Sequence, residues 1–177
     1  MGKIKQKEKV KLIIGMLSAD KKLFEKVIKL LIKKYGEIDF ESEFIDFSFT
    51  NYYQDEMGKN ILRKFISFKD LINPEGLPDI KITSNNIEEK FLNSNNARLI
   101  NIDPGYITLG KLILATTKNQ QHRIYLQKGI FAEVTLRYRN KTFREWEWTY
   151  PDYKTPAYIN IFNKIREAFY AQISQNK

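Results

Sequence analysis

Cysteine is absent from the 177 residues, and histidine occurs once, as His122. The first absence excludes disulfides, thiolate nucleophiles, iron–sulfur clusters and thiolate zinc sites. The second excludes a metal site built from several histidines and a relay between paired histidines. Long apolar runs are missing as well. No stretch approaches the roughly 18 residues that a membrane-crossing helix needs. The apolar run 12–17 is too short for a signal sequence. Gly2 follows Met1 as at a myristoylation start, but Gln6 stands where Ser or Thr is wanted. The expectation is a cytoplasmic protein with no membrane partner; nothing in the chain sets an oligomeric state.

What is present describes a folded chain. Apolar residues make up 42% and charged residues 29%, both ordinary for a globular protein, and aromatics reach 14%. The length predicts a single domain over 1–177 that hides roughly 70% of its unfolded surface. The net charge of +9 is unevenly spread: residues 1–35 carry +8, residues 36–56 carry −7 and residues 57–177 carry +8. A basic surface favours anionic partners. Lysine-rich composition, however, also serves solubility alone.

Residues 10–17 read as a buried strand ending near Gly15. Ser18 is the expected cap of a helix with Asp20 in its first turn, and Leu23, Phe24, Val27, Ile28, Leu30, Leu31 and Tyr35 form its apolar stripe. Gly36 stands in position for a left-handed stop. Residues 37–49 alternate, with Glu37, Asp39, Glu41 and Glu43 along one face, and slip phase near Phe44-Ile45, which predicts a bulge in an edge strand. A strand over 61–68, a helical pattern over 77–91 and a short strand over 98–102 follow. This is the βαββαβ, ferredoxin-like order.

Asp103-Pro104-Gly105 is expected to break the strand, and Leu109, Leu112 and Ile113 share a face of a short helix capped by Thr108. Residues 122–150 read as a meander with three-residue loops at 127–129 and 140–142. That register places Ile124 opposite Ala132, Leu126 opposite Ile130, Leu136 opposite Trp146 and Val134 opposite Trp148. On the other face it aligns Arg123, Glu133 and Thr149. Two-residue loops would set Arg137 against Arg144, which cross-strand pairing disfavours. Thr155-Pro156 opens a last helix striped by Tyr158, Phe162, Ile165, Phe169 and Ile173. No repeat, low-complexity tract or linker divides the chain. The expected fold is α+β: an antiparallel ferredoxin-like half (1–103), then a helix, a C-terminal β-meander and a final helix packed on it (104–177).

Several strings are distinctive: 12–18 (LIIGMLS), 101–106 (NIDPGY), 111–118 (KLILATTK), 122–126 (HRIYL) and 149–153 (TYPDY). They resemble a prokaryotic family known as domain of unknown function 4416. The resemblance covers nearly the whole chain and implies a single-domain protein of this length with no assigned activity. Some relatives look to carry a GTP-binding label. Its basis would be residues 105–111, which match G-x-x-x-x-G-K but place Leu112 where Ser or Thr should ligate magnesium. The guanine-reading N-K-x-D is missing, so a turn at 103–105 followed by a core helix is the simpler reading.

A polar cluster is the stronger candidate. Asp103, His122 and Glu133 are the candidate proton-handling groups. Tyr106, Lys111, Thr116, Thr117, Lys118, Arg123, Thr149 and Tyr150 are candidate ligand contacts. Lys and Arg beside Thr hydroxyls suit a phosphate or carboxylate, and a histidine there suits acid–base work. An internal Arg123–Glu133 ion pair on a solvated face is the competing structural reading. Asp46, Asp55, Glu56 and Asp103 offer oxygen ligands to Mg²⁺, but their spacing does not demand an ion, and no cofactor is evident. Residues 51–59 read as a loop that Tyr52 and Tyr53 anchor. Arg123, Tyr125, Phe131, Arg137, Arg139, Phe143 and Arg144 interleave charge with rings, as an RNA-binding sheet face would. The leading expectation is recognition of a phosphate-bearing small molecule such as a nucleotide. RNA binding and a purely structural role are the alternatives.

Overall fold

The computed structural model describes residues 2–3, 7–50 and 53–175, apart from the side chains of residues 54 and 55. Tyr52 and the side chain of Asp55 lie outside the described residues. Among them the chain forms β1 (Val10–Ser18), α1 (Lys21–Tyr35), β2 (Ile38–Glu41), β3 (Ile45–Asp46), α2 (Gln54–Met57), β4 (Leu62–Ile72), α3 (Leu77–Glu88), β5 (Asn101–Ile107), β6 (Lys111–Thr116), β7 (Ile124–Gln127), β8 (Ile130–Arg139), β9 (Thr142–Glu145) and α4 (Pro156–Gln175). The protein is a mixed α+β structure with one large antiparallel sheet of nine strands. Their order is β2-β4-β1-β5-β6-β8-β7, with β3 beside β4 and β9 beside β8.

All nine residues of β1 are buried because both sheet faces are covered. Even-numbered Leu12, Ile14 and Met16 meet Leu23, Phe24, Val27 and Leu31 of α1 and Ile80 and Ile87 of α3. Ile13 faces the other way with Phe65, Leu112 and Leu136, under Tyr158, Phe162 and Ile165 of α4. Each such side chain, fully buried, contributes roughly 1.5–3 kcal/mol.

The helix starts and edges differ in detail from the sequence reading. The strand continues through Ser18, so Asp20 caps α1 and accepts from Lys22 N at 2.8 Å, while Ser18 Oγ donates to Leu99 O. Thr155 Oγ1 accepts from Tyr158 N at the start of α4. In place of the bulge expected near Phe44-Ile45 there is a full break after Glu41: β2 and β3 pair separately with β4, and buried Ser42 between them accepts from Phe65 N. The segment 51–59, read as a loop, contains α2.

Two corrections concern the middle of the chain. Asp103-Pro104-Gly105 does not break a strand; all three lie within β5 and pair with β1. The expected helix after Thr108 is strand β6. Thr108 Oγ1 does accept from Gly110 N and Lys111 N, but the turn closes a hairpin. Residues 112–115 are buried on both faces, so they form a continuous apolar run with no alternation, which local spacing cannot distinguish from a helix.

The meander uses two-residue turns. Lys128 and Gly129 have φ of 55° and 75°, and Asn140 and Lys141 have 53° and 62°, the left-handed pairs of type I′ hairpins. In the first hairpin a bulge at Leu126 compensates. Gln127 rather than Leu126 faces Ile130, yet Ile124 still meets Ala132. In the second hairpin nothing compensates, so Leu136 pairs with Glu145 and Arg137 with Arg144, not Leu136 with Trp146. The like charges are tolerated because the Arg137 guanidinium stacks 4.0 Å over the Trp146 ring and Arg144 is exposed to water. Beyond β9 the chain turns, and Trp148 Nε1 donates to Val134 O at 3.1 Å.

Candidate functional site

The sheet forks at its centre. β5 pairs with β6 only over residues 105–107, whereas β5 stays on β1 back to Asn101 and β6 stays on β8 out to Thr116. The pairing stops at Pro104, which has no N–H to contribute. Gly105 permits the last close contact: a Cβ there would lie 2.2 Å from Ile113 O. Residues 105–111 are therefore a strand, a turn and a strand start, not a phosphate loop opening a helix. Lys111 is exposed at the closed end of the hairpin.

A cavity of about 690 Å³ occupies the open side of the fork. Asn101 and Asp103 line it from β5, Leu114 to Thr116 from β6, Lys81, Asn85 and Glu88 from α3, and Arg63 from β4. Phe47, Phe49 and Tyr53 wall it from the segment after β3, and Tyr150 to Tyr153 from the turn before α4.

Two buried arginines organise the cavity. Arg63 is 3% exposed at its side chain, and its Nη1 and Nη2 donate to Asp103 Oδ2 at 3.4 Å and Asp152 Oδ2 at 3.1 Å. Its guanidinium carbon lies 5.3, 5.6 and 5.8 Å from the ring centres of Phe47, Phe65 and Tyr153. Gly15 leaves room for it, since a Cβ there would lie 3.2 Å from Nη1. Asp103 also accepts from Asn101 Nδ2 at 2.7 Å and sits 3.7 Å from Lys81 Nζ. Burial acts to raise the Asp103 pKa, but the Lys81 ammonium and Arg63 guanidinium outweigh it and hold the carboxyl below its ordinary range. Asp152 goes the other way: burial raises its pKa, and Arg63 offsets only part of that.

Arg123 is the second. Its side chain is 1% exposed. Nε donates to Glu133 Oε2 at 2.8 Å, Nη1 to Lys118 O at 2.9 Å and Nη2 to Tyr150 Oη at 2.6 Å. Glu133 Oε1 accepts from Thr135 Oγ1, and Thr149 Oγ1 donates to Thr135 O at 2.6 Å. The Arg123–Glu133 pair is real and buried, not on a solvated face. Thr149 lies beside Thr135 and reaches the pair through it.

A third cluster ties α3 to α2 and to the loop that follows α3. Arg98 donates to Glu56 Oε2 at 2.8 Å, Glu88 Oε2 at 3.2 Å and Asn101 Oδ1 at 3.0 Å. Glu88 Oε1 accepts from Ile102 N at 2.6 Å. Burial pushes the Glu88 pKa up despite Lys81 and Arg98.

Of the residues singled out from the sequence, the fold brings Asp103, Thr116, Thr117, Lys118, Arg123, Glu133 and Tyr150 to the cavity. It leaves four outside. Tyr106 packs with Ile113 and Leu77 toward α3, and Lys111 is exposed. Thr149 is buried beside Thr135. His122 sits 3.3 Å from Glu133 Oε2 and stacks on Trp148 at 5.5 Å. Of the carboxylates weighed as oxygen ligands for Mg²⁺, the described ones do not converge: Glu56 is bound to Arg98, Asp103 to Arg63, and Asp46 is exposed on β3. No group of three or more metal-ligating side chains occurs among the described residues. In the basic aromatic set, Arg123 and Phe143 are buried, so the seven residues do not share one open face.

Sequence reasoning missed Arg63, Lys81, Arg98, Asn101 and Glu88, whereas Asp152 and Tyr153 stood in the polar cluster read at the end of the meander. One signal was present: Lys81, Asn85 and Glu88 recur at helical spacing beside the apolar anchors Ile80 and Ile87, a polar stripe on a buried helix. Arg63-Lys64 inside an apolar strand was another.

Fold and site together define an α+β protein with a covered antiparallel sheet and a polar cavity where two neighbouring strands part. The family model of domain of unknown function DUF4416 matches residues 8–169, and the chain belongs to that family. No curated protein and no solved structure matches it. No helix among the described residues is long and apolar enough to cross a membrane.

Proposed function

We propose that this protein binds a phosphate-bearing small molecule, such as a nucleotide, in the cavity at the β5–β6 fork. The observation that carries the reading is what lines the cavity. About 690 Å³ of space combines basic Arg63, Lys81 and Lys118 with the rings of Phe47, Phe49, Tyr53 and Tyr150. Small-molecule sites run to roughly 300–1,000 Å³, lined mostly by apolar groups with a few convergent polar ones. In this reading the cations offset the phosphate charge, Thr116 and Thr117 donate hydrogen bonds at the rim, and a ring stacks on the base. Arg123 shapes the wall and does not touch the ligand. Asp103, ionised beside Arg63, is the group best placed to accept a hydrogen bond from a sugar or base.

The scaffold fits the same proposal. The order β2-β4-β1-β5 with α1 and α3 on one face supports a ferredoxin-like unit over 1–103, extended within one domain by the rest of the sheet.

A thermal-shift titration with ATP, GTP, AMP, ribose 5-phosphate and pyrophosphate tests it. A ligand that binds only the folded state raises Tm in a saturable way. No shift with any of these at millimolar concentration overturns the reading. A shift with single-stranded RNA alone replaces it with the nucleic-acid alternative, whose binding would also fall steeply with salt.

A further inference from the structure

We propose that Arg63 and Tyr153 are the anion seat of this cavity, and that the group they take is a phosphate or phosphomonoester oxyanion. The inference rests on the small-molecule reading above and names the residues that hold the ligand's charged end.

Hydrogen-bond accounting separates the two arginines. A guanidinium has five N–H donors in a fixed fork. Arg123 directs its three nitrogens to protein acceptors at 2.6–2.9 Å. Arg63 makes two carboxylate contacts, at 3.1 and 3.4 Å, with the Tyr158 phenol also beside it, and its Nε has no hydrogen-bond partner. Charge-assisted bonds of this type ordinarily measure about 2.7–2.9 Å, so Arg63 is loosely held. The Tyr153 hydroxyl also has no partner, and the Tyr153 ring centre lies 5.8 Å from the Arg63 guanidinium carbon. Both side chains line the cavity, and both residues are 3% exposed. Buried donors without acceptors are rare and costly in folded proteins. Two of them on residues that line one cavity mark the place where an acceptor from outside is accommodated once the side chains turn toward it.

The neighbours suit an oxyanion. Lys81 adds a second positive charge 3.7 Å from Asp103. Burial keeps the Tyr153 phenol protonated and hence a donor. Burial also raises the Asp152 pKa, and Arg63 offsets only part of that. The guanidinium edge that Asp103 and Asp152 leave unused can then bind two oxygens side by side, the geometry in which arginine recognises phosphate.

The test uses inorganic phosphate and AMP on the wild-type chain and on Tyr153→Phe, Arg63→Lys and Lys111→Ala, at constant ionic strength with chloride and acetate as controls. Phosphate and AMP are expected to raise the wild-type and Lys111→Ala Tm, and acetate to act no differently from chloride. Tyr153→Phe removes a hydroxyl that has no partner, so its unliganded Tm stays level or rises while phosphate binds roughly tenfold more weakly. Arg63→Lys keeps the charge, loses the fork and abolishes the shift. If it does not fold, as judged by circular dichroism, Tyr153→Phe decides alone. Wild-type affinity for phosphate in Tyr153→Phe overturns the seat while leaving the proposed function standing. An equal shift with acetate overturns the oxyanion class. A wild-type chain that responds to no phosphate compound removes the proposed function, and the seat with it.

Discussion

Arg63 and Arg123 are both buried, both paired with carboxylates and both on the same cavity, yet they do different things. Arg123 lies ten residues from Glu133 and binds the loop between β6 and β7 to the sheet through short bonds. Arg63 reaches partners 40 and 89 residues away, through longer contacts, inside a cage of rings. Local pairing can be optimised within one hairpin. A group shared by β4, β5 and the turn before α4 is a compromise among three elements, each held elsewhere by its own packing. The arginine with a bond at each nitrogen is a clamp; the one with an unbonded Nε is the one proposed to take a ligand.

Breaking the clamp carries the largest expected effect. Arg123→Ala leaves Glu133 buried without its cation, which costs about 3–5 kcal/mol. Denaturant titration reads this directly, and a loss below about 1 kcal/mol would show that the pair is not a clamp. The fork itself comes next. Gly105→Ala places a Cβ against Ile113 O and is expected to cost about 1–3 kcal/mol or more by overpacking. Full stability in that variant would mean that β5 and β6 do not approach as closely as described.

The acids around Arg63 sharpen the comparison through their opposite signs. Asp103 has a lowered pKa, so its contribution is present above its ordinary value of 3.8 and is lost as pH falls through the depressed value. Asp152 has a raised pKa, so its ionisation opposes folding at neutral pH, and stability is recovered as pH falls through that raised value. Asp103→Asn should therefore cost about 1–2 kcal/mol at pH 7, with the difference from wild type closing in strong acid. Asp152→Asn should leave the pH 7 midpoint level or raise it. Matching losses in both variants would refute the split. The smallest effect belongs to Lys111→Ala, under about 0.5 kcal/mol and with no change in ligand response.

Much of the fold was legible because it depends on local pattern. The stripe Leu23, Phe24, Val27 and Leu31 and the pair Thr155-Pro156 predict α1 and α4 from spacing and caps alone. The Arg123–Glu133 pair was legible too, although the turn assumed for it was wrong: a bulge at Leu126 restored the alignment that a three-residue loop would have made. The same charge argument failed one hairpin later. There Arg137 found a tryptophan face instead of a carboxylate, and the left-handed pair Asn140-Lys141 set the register. Strand β6 was misread for a different reason, namely cover on both faces.

Taken alone, the amino-acid order determined an α+β protein with a basic balance, a buried first strand, two amphipathic helices and an ion pair in the meander. These follow from periodicity, which reports how much of each face an element hides. Periodicity does not say what hides it. Only the tertiary structure decided that β5 and β6 part at Pro104, that Lys81 and Glu88 turn toward the gap, and that Arg63 meets Asp103 and Asp152 there. The reason is physical: such pairings are long-range, and they are fixed by the packing of whole elements rather than by the residues next to them in the chain.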